Sequence, residues 1–393
     1  VTDANGHVNQ ETISTSGTLI SVVDQGDGNE SISTKYEYDD RGNKTAEIYA
    51  NGAKKTYDYN SRNLVTKTQS YDKEGTKTLI SKYRYDDYGQ LLEMIDYRVS
   101  SETETAYRYT EYTYDQRGRI TAFAEISQNA QPTADDIKAH QIRYTYNEDG
   151  NLSKVSYPTT KDGIQSLSYI YDENGWLQEI KGELHSNGQT TEKVLRSYTY
   201  DTYGKVKEIK DYRNLLKDSD QAVQKVYTYD SFDRVKEMIY TDLETGKVME
   251  SYQYSYDKNS NIIEKIAVNN YPKEDLDKVN ETKSYTYNGL DQLKTSTKEK
   301  GTAVEEVRQY DYDANGNQTD VKNTKTGENQ TYVYDAENRL SQVSVTKDRK
   351  TAVIQQNSYN GEGQRIQKID GDETTNYYYQ NGVVAYTTDT DGN

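Results

Sequence analysis

The segment Tyr144-Thr-Tyr146-Asn147-Glu-Asp-Gly150-Asn-Leu152 carries the pattern that decides the fold. Its two tyrosines stand at i and i+2 and therefore share one face of a β-strand. Asn147 offers a side-chain oxygen that can cap a type I turn, and Gly150 accepts the left-handed backbone that closes such a turn with a G1 bulge. Because Leu152 then begins a second apolar stretch, the segment predicts a β-hairpin.

The same pattern recurs along the whole chain at intervals of 20 to 32 residues, with weaker copies at Tyr359 and at Tyr377 and Tyr379. Complete sets of two tyrosines, an Asp or Asn and a glycine include Tyr36, Tyr38, Asp39 and Gly42; Tyr83, Tyr85, Asp86 and Gly89; Tyr144, Tyr146, Asn147 and Gly150; Tyr169, Tyr171, Asp172 and Gly175; Tyr198, Tyr200, Asp201 and Gly204; and Tyr310, Tyr312, Asp313 and Gly316. We therefore predict a single array of about thirteen hairpin repeats over residues 1–393. Residues 1–6 resemble the middle of a repeat and residues 390–393 end on a turn, so we expect a fragment of a longer chain.

The return strand of each hairpin has a second regular feature. An aliphatic residue such as Leu91 or Leu152 begins the strand, and a further apolar residue, Met94 or Val155, often follows three positions later. Strict alternation of faces does not allow this spacing, so it predicts a β-bulge.

Thirteen hairpins supply about twenty-six strands, more than a flat sheet sustains. The predicted fold class is all-β, with tandem hairpins that form a long spiralling antiparallel sheet, an open or partial hollow shell or barrel. We expect the tyrosine rings of neighbouring repeats to stack in a continuous ladder.

Composition and charge limit the kinds of molecule that the chain is expected to bind. The chain has a net charge of -17 and 41 tyrosines, so tyrosine replaces the usual aliphatic core. The scattered excess of acid repels phosphate backbones and anionic lipid, and no apolar run is long enough to span a bilayer. We expect no nucleic-acid partner and no membrane insertion.

Two intervals between repeats are wider than the others. Each contains a proline, Pro132 or Pro272, followed by acidic and helix-forming residues. Proline is favoured at the first helical position, so both segments predict short helical turns.

Residues that carry chemistry are scarce. Cysteine is absent, and His7, His140 and His185 stand far apart in polar contexts typical of surface histidines. We predict no catalytic residue, no cofactor and no enzyme. Calcium remains an alternative reading of two acidic runs, residues 24–29 and 389–393, although ordinary Asx-Gly turns explain both and neither completes an EF-hand loop.

Trp176 is the only tryptophan. It follows Gly175 at a turn, where we expect it to be exposed. Two interpretations stay open: the ring packs on a neighbouring hairpin, or it contacts a ligand such as a sugar.

The recurring Tyr-x-Tyr-Asp-x-x-Gly-x-Leu pattern resembles the YD repeats of the RHS family over essentially the whole chain. That family includes wall-associated bacterial proteins, shell subunits of Tc toxins, polymorphic RHS toxins and the teneurins. The resemblance implies a spiralling β-sheet shell and an extracellular, secreted or cell-wall-associated protein. In the toxin members an aspartate-bearing core segment cleaves off a C-terminal effector. The Asp-Pro signature of that segment is absent here, so self-cleavage is not carried over.

Two functions follow as hypotheses. In the first, the array is a structural scaffold that encloses or presents a C-terminal polypeptide, a toxin or effector. In the second, it is an adhesion module whose outer face or hairpin tips bind a cell-surface carbohydrate or protein.

Overall fold

The computed structural model describes residues 1–26, 31–100, 103–158, 163–186, 188–213, 222–270, 279–380 and 382–390. These residues form one antiparallel sheet of thirty strands, in which each strand pairs with the next along the chain. In the described ranges the first and last strands do not pair with each other, so the sheet is open. The predicted all-β fold is confirmed.

The strands are β1 (Val8–Ile13), β2 (Leu19–Gln25), β3 (Ser31–Tyr38), β4 (Lys44–Ile48), β5 (Lys54–Tyr59), β6 (Val65–Tyr71), β7 (Lys77–Tyr85), β8 (Leu91–Ser100), β9 (Thr103–Tyr114), β10 (Ile120–Ile126), β11 (Gln141–Tyr146), β12 (Leu152–Ser156), β13 (Gly163–Tyr171), β14 (Leu177–Ser186) and β15 (Gln189–Tyr200). They continue with β16 (Val206–Asp211), β17 (Val223–Tyr229), β18 (Val235–Asp242), β19 (Val248–Tyr256), β20 (Ile262–Asn269), β21 (Val279–Tyr287), β22 (Leu293–Lys300), β23 (Ala303–Tyr312), β24 (Gln318–Asn323), β25 (Asn329–Tyr334), β26 (Leu340–Lys347), β27 (Lys350–Tyr359), β28 (Arg365–Asp370), β29 (Glu373–Gln380) and β30 (Val383–Thr388). The helix α1 (Ala134–Ala139) lies between β10 and β11.

Each predicted hairpin closes with the same turn, which we call a tip turn. In the repeat of β11 and β12, the N–H of Asn147 donates to the Asn151 carbonyl at 2.9 Å and the N–H of Gly150 donates to the Asn147 carbonyl at 3.0 Å. The Asn147 side-chain oxygen accepts from the Asn151 N–H at 2.8 Å, and Gly150 has a φ of +89°. The thirteen tip turns begin at Asp39, Asn60, Asp86, Asp115, Asn147, Asp172, Asp201, Asp230, Asp257, Asn288, Asp313, Asp335 and Asn360. The predicted type I turn with a G1 bulge is confirmed.

The predicted second bulge is also present. Tyr146 pairs with Leu152, whereas Thr145 pairs with Lys154, so that Ser153 has no partner across the ladder. The extra residue returns Val155 to the face of the tyrosines, where it pairs with Tyr144.

The tyrosine hydroxyls, rather than stacked rings, join the repeats. In thirteen repeats the hydroxyl of the second tyrosine donates to a backbone carbonyl at the start of the preceding return strand, at 2.6 to 2.9 Å. The expected ring ladder is wrong: in the described residues tyrosine rings contact each other at isolated places, such as Tyr240 and Tyr252. A return strand separates consecutive tyrosine strands, which puts their rings about 10 Å apart.

The expected helical turn after Pro132 is confirmed as α1, whose N-cap Thr133 forms a capping box with Asp136. Its counterpart after Pro272 lies outside the described residues. Thirty strands form instead of twenty-six because a hairpin adds β1 and β2 at one end, and another adds β29 and β30 at the other.

The sheet coils until late repeats touch early ones. Lys55 of β5 forms an ion pair with Glu337, which follows β25, so one turn of the spiral takes twenty strands. Tyr107 of β9 likewise donates from its hydroxyl to the carbonyl of Tyr359, 252 residues away. In the described ranges, no helix combines the length and apolar character needed to cross a membrane.

Candidate functional site

The two turns of the spiral meet along a polar contact zone that we call the seam. Every hairpin has a tip edge, where the tip turns lie, and a back edge at the opposite ends of its strands. Tip turns from Asp257 onward rest on the back edge of the first spiral turn, whereas tip turns up to Asp230 form a free edge. At the seam, the second spiral turn contacts the first, although the sheet itself stays open.

Glu337 is the side chain most strongly held in the seam. Its carboxylate pairs with the Lys55 ammonium at 2.7 Å and accepts from the Ser70 hydroxyl at 2.5 Å. The Glu337 side chain is 8% exposed and that of Lys55 13%. Burial would raise the pKa of Glu337, but Lys55 and Arg339 outweigh it and hold the pKa below its usual value.

Glu337 is the second residue after the Asp that begins its tip turn, and other seam tips use this position in the same way. The Asn315 side-chain oxygen accepts from the Asn51 N–H at 2.7 Å, and that of Asn259 accepts from the Asn5 N–H at 2.9 Å. In the free tips this position is exposed and carries Arg41, Arg62, Tyr88, Arg117, Asp149, Asn174, Tyr203 and Phe232.

The first residue after the initial Asp or Asn is small in four of the five seam tips, namely Gly289, Ala314, Ala336 and Gly361, whereas Lys258 of the Asp257 tip is exposed and polar. Gly289, Ala336 and Gly361 are buried in the seam, and a Cβ on Gly361 would lie 1.9 Å from the Ser81 hydroxyl oxygen. Free tips have an exposed polar residue there, such as Ser61. Our sequence reasoning missed the seam, although the small residues at this position from Gly289 onward were a usable signal.

A buried polar cluster lies where the tip turn of Asn360 enters the seam. Arg108 forms an ion pair with Glu125, and their side chains are 2% and 1% exposed. Asp96 is fully buried and accepts from the Ser81 hydroxyl at 2.5 Å. One carboxylate oxygen of Asp96 and one of Glu125 have no hydrogen-bond partner in the described part of the chain.

Burial raises the pKa of Asp96 to about 6, although the Ser81 hydroxyl, the Gly361 N–H and Arg108 act in the opposite direction. The pKa of Glu362 is also raised, first by burial and then by the neighbouring charges of Glu125 and Asp96. The cluster therefore holds more carboxylate than Arg108 can balance.

One group in the described residues has the ligand atoms of a metal site. Asp3, His7 and Asp291 each offer an atom within 4.8 Å of the others, and the His7 ring lies 3.1 Å from the Asp3 carboxylate. These oxygens already accept seam hydrogen bonds, for example from Asn259. The His7 side chain is partly buried, at 18% exposed. The calcium alternative concerned runs that extend into residues 27–30 and 391–393, outside the described residues.

Trp176 lies at a position with a repeated role. Four residues after the Asp that begins a tip turn, Arg119, Arg234 and Arg339 place their guanidinium groups 4.3 to 5.0 Å from the ring of the next repeat's second tyrosine. Trp176 occupies the same position and lies 5.4 Å from the Tyr200 ring. It is half-buried, so the expectation that it is exposed is wrong, whereas the interpretation that its ring packs on a neighbouring hairpin is confirmed. A ligand contact stays a prediction.

The repeat residues that the sequence predicted lie in two different places in the structure. The sets that include Asp39, Asp86, Asn147, Asp172 and Asp201 build free tips, and the set of Asp313 and Gly316 builds a seam tip. Of the complete sets named above, the structure therefore brings one to the seam.

No protein-family model and no curated protein matches the chain. Solved structures do. A mutant Photorhabdus luminescens Tc holotoxin pore has a TM-score of 0.53 at 15% identity over 98% of this chain. TcdB2-TccC3 without its hypervariable C-terminal region has a TM-score of 0.57 at 15% identity over 100% of it. The match covers 24% of each of those chains, and at this identity it establishes the fold.

Proposed function

We propose that this chain, whose fold is that of the YD-repeat (RHS-repeat) shells, is a non-enzymatic scaffold that encloses or presents a C-terminal polypeptide, a toxin or effector. The observation that carries the proposal is the seam. A sheet that coils once and then rests its tip turns on its own back edge builds a wall by stacking. The recurring residues are explained by the geometry of the hairpin repeat, and this explanation needs no cluster of reactive groups. The protein acts outside the cell, secreted or attached to the cell wall.

Intact mass and size exclusion of the native full-length product test this scaffold. We expect a C-terminal piece that co-elutes with the array and resists added protease. A C-terminal piece that is digested as fast as the same piece alone would overturn the proposal.

The exposed tip aromatics favour a second candidate, the adhesion module. Tyr88, Tyr203 and Phe232 are 91%, 84% and 76% exposed on the free edge. Exposed aromatic rings stack on sugar rings and anchor protein interfaces. Saturable binding of a cell-surface glycan or protein, lost in Tyr203→Ser and Trp176→Ala, would support adhesion. Equal binding by both variants and the parent chain would exclude the tips as the contact.

A further inference from the structure

A cavity of about 340 Å³ lies beside the buried polar cluster. One wall comes from β9, β10 and β11 of the first spiral turn, and the other from the tip turn of Asn360 and from β29 of the second. The residues that matter here are Tyr112, Tyr114, Tyr144, Glu362, Gln364 and Tyr379. The volume of the cavity lies within the range of small-ligand sites.

Among the described residues that line this cavity, Glu362 is the acid. Its carboxylate has no hydrogen bond or ion pair in the described residues. The side chain is accessible to solvent although protein atoms surround it, as expected for a group that faces an open cavity. With Asp96 and Glu125 nearby and Arg108 as the balancing cation, the local charge favours a positively charged guest.

Two tyrosines of the cavity, Tyr114 and Tyr379, lack the cationic partner that four other second tyrosines of the array have. In four other tip turns, the residue four after the start places a cation over the next second tyrosine, as Arg119 does over Tyr146 at 4.3 Å. The residues at this position before Tyr114 and Tyr379 are Gln90 and Gln364, and in the described chain no cation covers these two rings.

Tyr144 is a second sign of an unfilled site. Its side chain lines the cavity and is 6% exposed, and its hydroxyl has no hydrogen-bond partner among the described residues. Buried polar groups are ordinarily paired.

We propose that this cavity binds an arginine side chain of a polypeptide. The planar guanidinium stacks on the tyrosine rings that no cation covers and pairs with the Glu362 carboxylate, as the array's own arginines stack on tyrosines and pair with tip acids. The site would anchor a chain that runs along the seam. It does not rest on the proposed scaffold function, because an arginine on any partner satisfies the same chemistry.

The test is a calorimetric titration of the full chain with N-acetylarginine amide at pH 8, because a high pH favours the carboxylate form of Glu362. The neutral citrulline analogue has the same shape without the charge. We expect saturable binding of the arginine probe and at least about tenfold weaker binding of citrulline, the size expected for a charge-assisted pair.

Two variants examine the site itself. Glu362→Gln should weaken arginine binding about tenfold. Gln364→Arg should block binding, because it installs the cation that other tip turns supply at that position. The matched control is Asp149→Asn, which changes the acid at the same position of a free, exposed tip, and it should leave binding unchanged. Equal binding of both probes, or undiminished binding by folded Glu362→Gln, would overturn the proposal.

Discussion

The hydroxyl of Tyr146 donates a hydrogen bond to the carbonyl oxygen of Ile120 at 2.8 Å. The bond crosses from one repeat to the preceding one and satisfies a phenol that is half-buried in the sheet. Its recurrence gives a physical reason for a chain with 41 tyrosines and two phenylalanines: phenylalanine would fill the same space but would leave the repeats without this link.

Replacing Tyr146 with phenylalanine therefore removes this hydrogen bond and keeps the aromatic ring. We expect Tyr146→Phe to lower the free energy of unfolding by about 1 kcal/mol, the net worth of one hydrogen bond. Urea denaturation measures the difference. Tyr88→Phe, at a tip residue that is 91% exposed, is the control and should match the parent chain. Equal loss in the two variants would mean that the hydroxyl bond contributes nothing.

The seam ion pair predicts a larger effect. Glu337→Gln leaves the largely buried Lys55 without its carboxylate, whereas Arg339 keeps its ion pair with Asp335. We expect the loss at Lys55 to cost about 3 kcal/mol at pH 7. Because the folded pKa of Glu337 is lowered, the contribution is present above the usual glutamate pKa and disappears as the pH falls through the folded pKa.

Asp149→Asn is the matched control for Glu337→Gln, since it removes an acid from the same tip position on the free edge. Its unfolding free energy should stay within about 0.5 kcal/mol of the parent chain. A Glu337→Gln variant as stable as this control would show that the ion pair does not hold the two spiral turns together.

Asp96 predicts the opposite pH dependence. Its pKa rises to about 6 on folding from 3.8, so ionisation opposes folding by on the order of 3 kcal/mol above pH 6, and the cost vanishes below the unfolded pKa. Asp96→Asn should therefore be more stable than the parent chain at pH 8, with the advantage shrinking between pH 6 and pH 4. Urea curves of both proteins across that range measure it, and an advantage that does not change with pH would contradict the assignment.

Gly361 is a steric test of the seam. A methyl group there would lie 1.9 Å from the Ser81 hydroxyl oxygen and 2.5 Å from the Asp96 carboxylate. We expect Gly361→Ala to cost about 2 to 3 kcal/mol through forced displacement of the tip. Ser61→Ala changes the equivalent position of a free tip and should be close to neutral in thermal unfolding. An unfolding temperature of Gly361→Ala equal to that of the parent chain would mean that the tip lies farther from Ser81 than described above.

Trp176 tests the stacking position. Trp176→Ala uncovers the Tyr200 ring and should cost about 1.5 kcal/mol. Trp176→Arg places there the residue that covers tyrosine rings in three other repeats and should restore most of that loss. If both variants unfold at the same urea concentration, ring coverage is not what the position contributes.

Local features of this protein followed from its residues. Asn147 and Gly150 predict their turn because capping and left-handed backbone are settled within five residues, and the spacing of Leu152 and Val155 predicts the bulge for the same reason. The ring ladder failed because the pattern of tyrosines along the chain says nothing about the return strand that separates their rings. Trp176 is less exposed than predicted because the ring that it packs on, Tyr200, belongs to the next repeat.

The seam depended on distances that local chemistry does not set. Glu337 meets Lys55 across 282 residues, and this meeting requires the twist and bulges of twenty intervening strands to add up to one turn. A slightly different twist per strand would bring a different tip against Lys55. The repeating hairpin is therefore a property of short-range hydrogen bonding, whereas the buried charges of the seam and its cavity arise from the accumulated geometry of the whole coil.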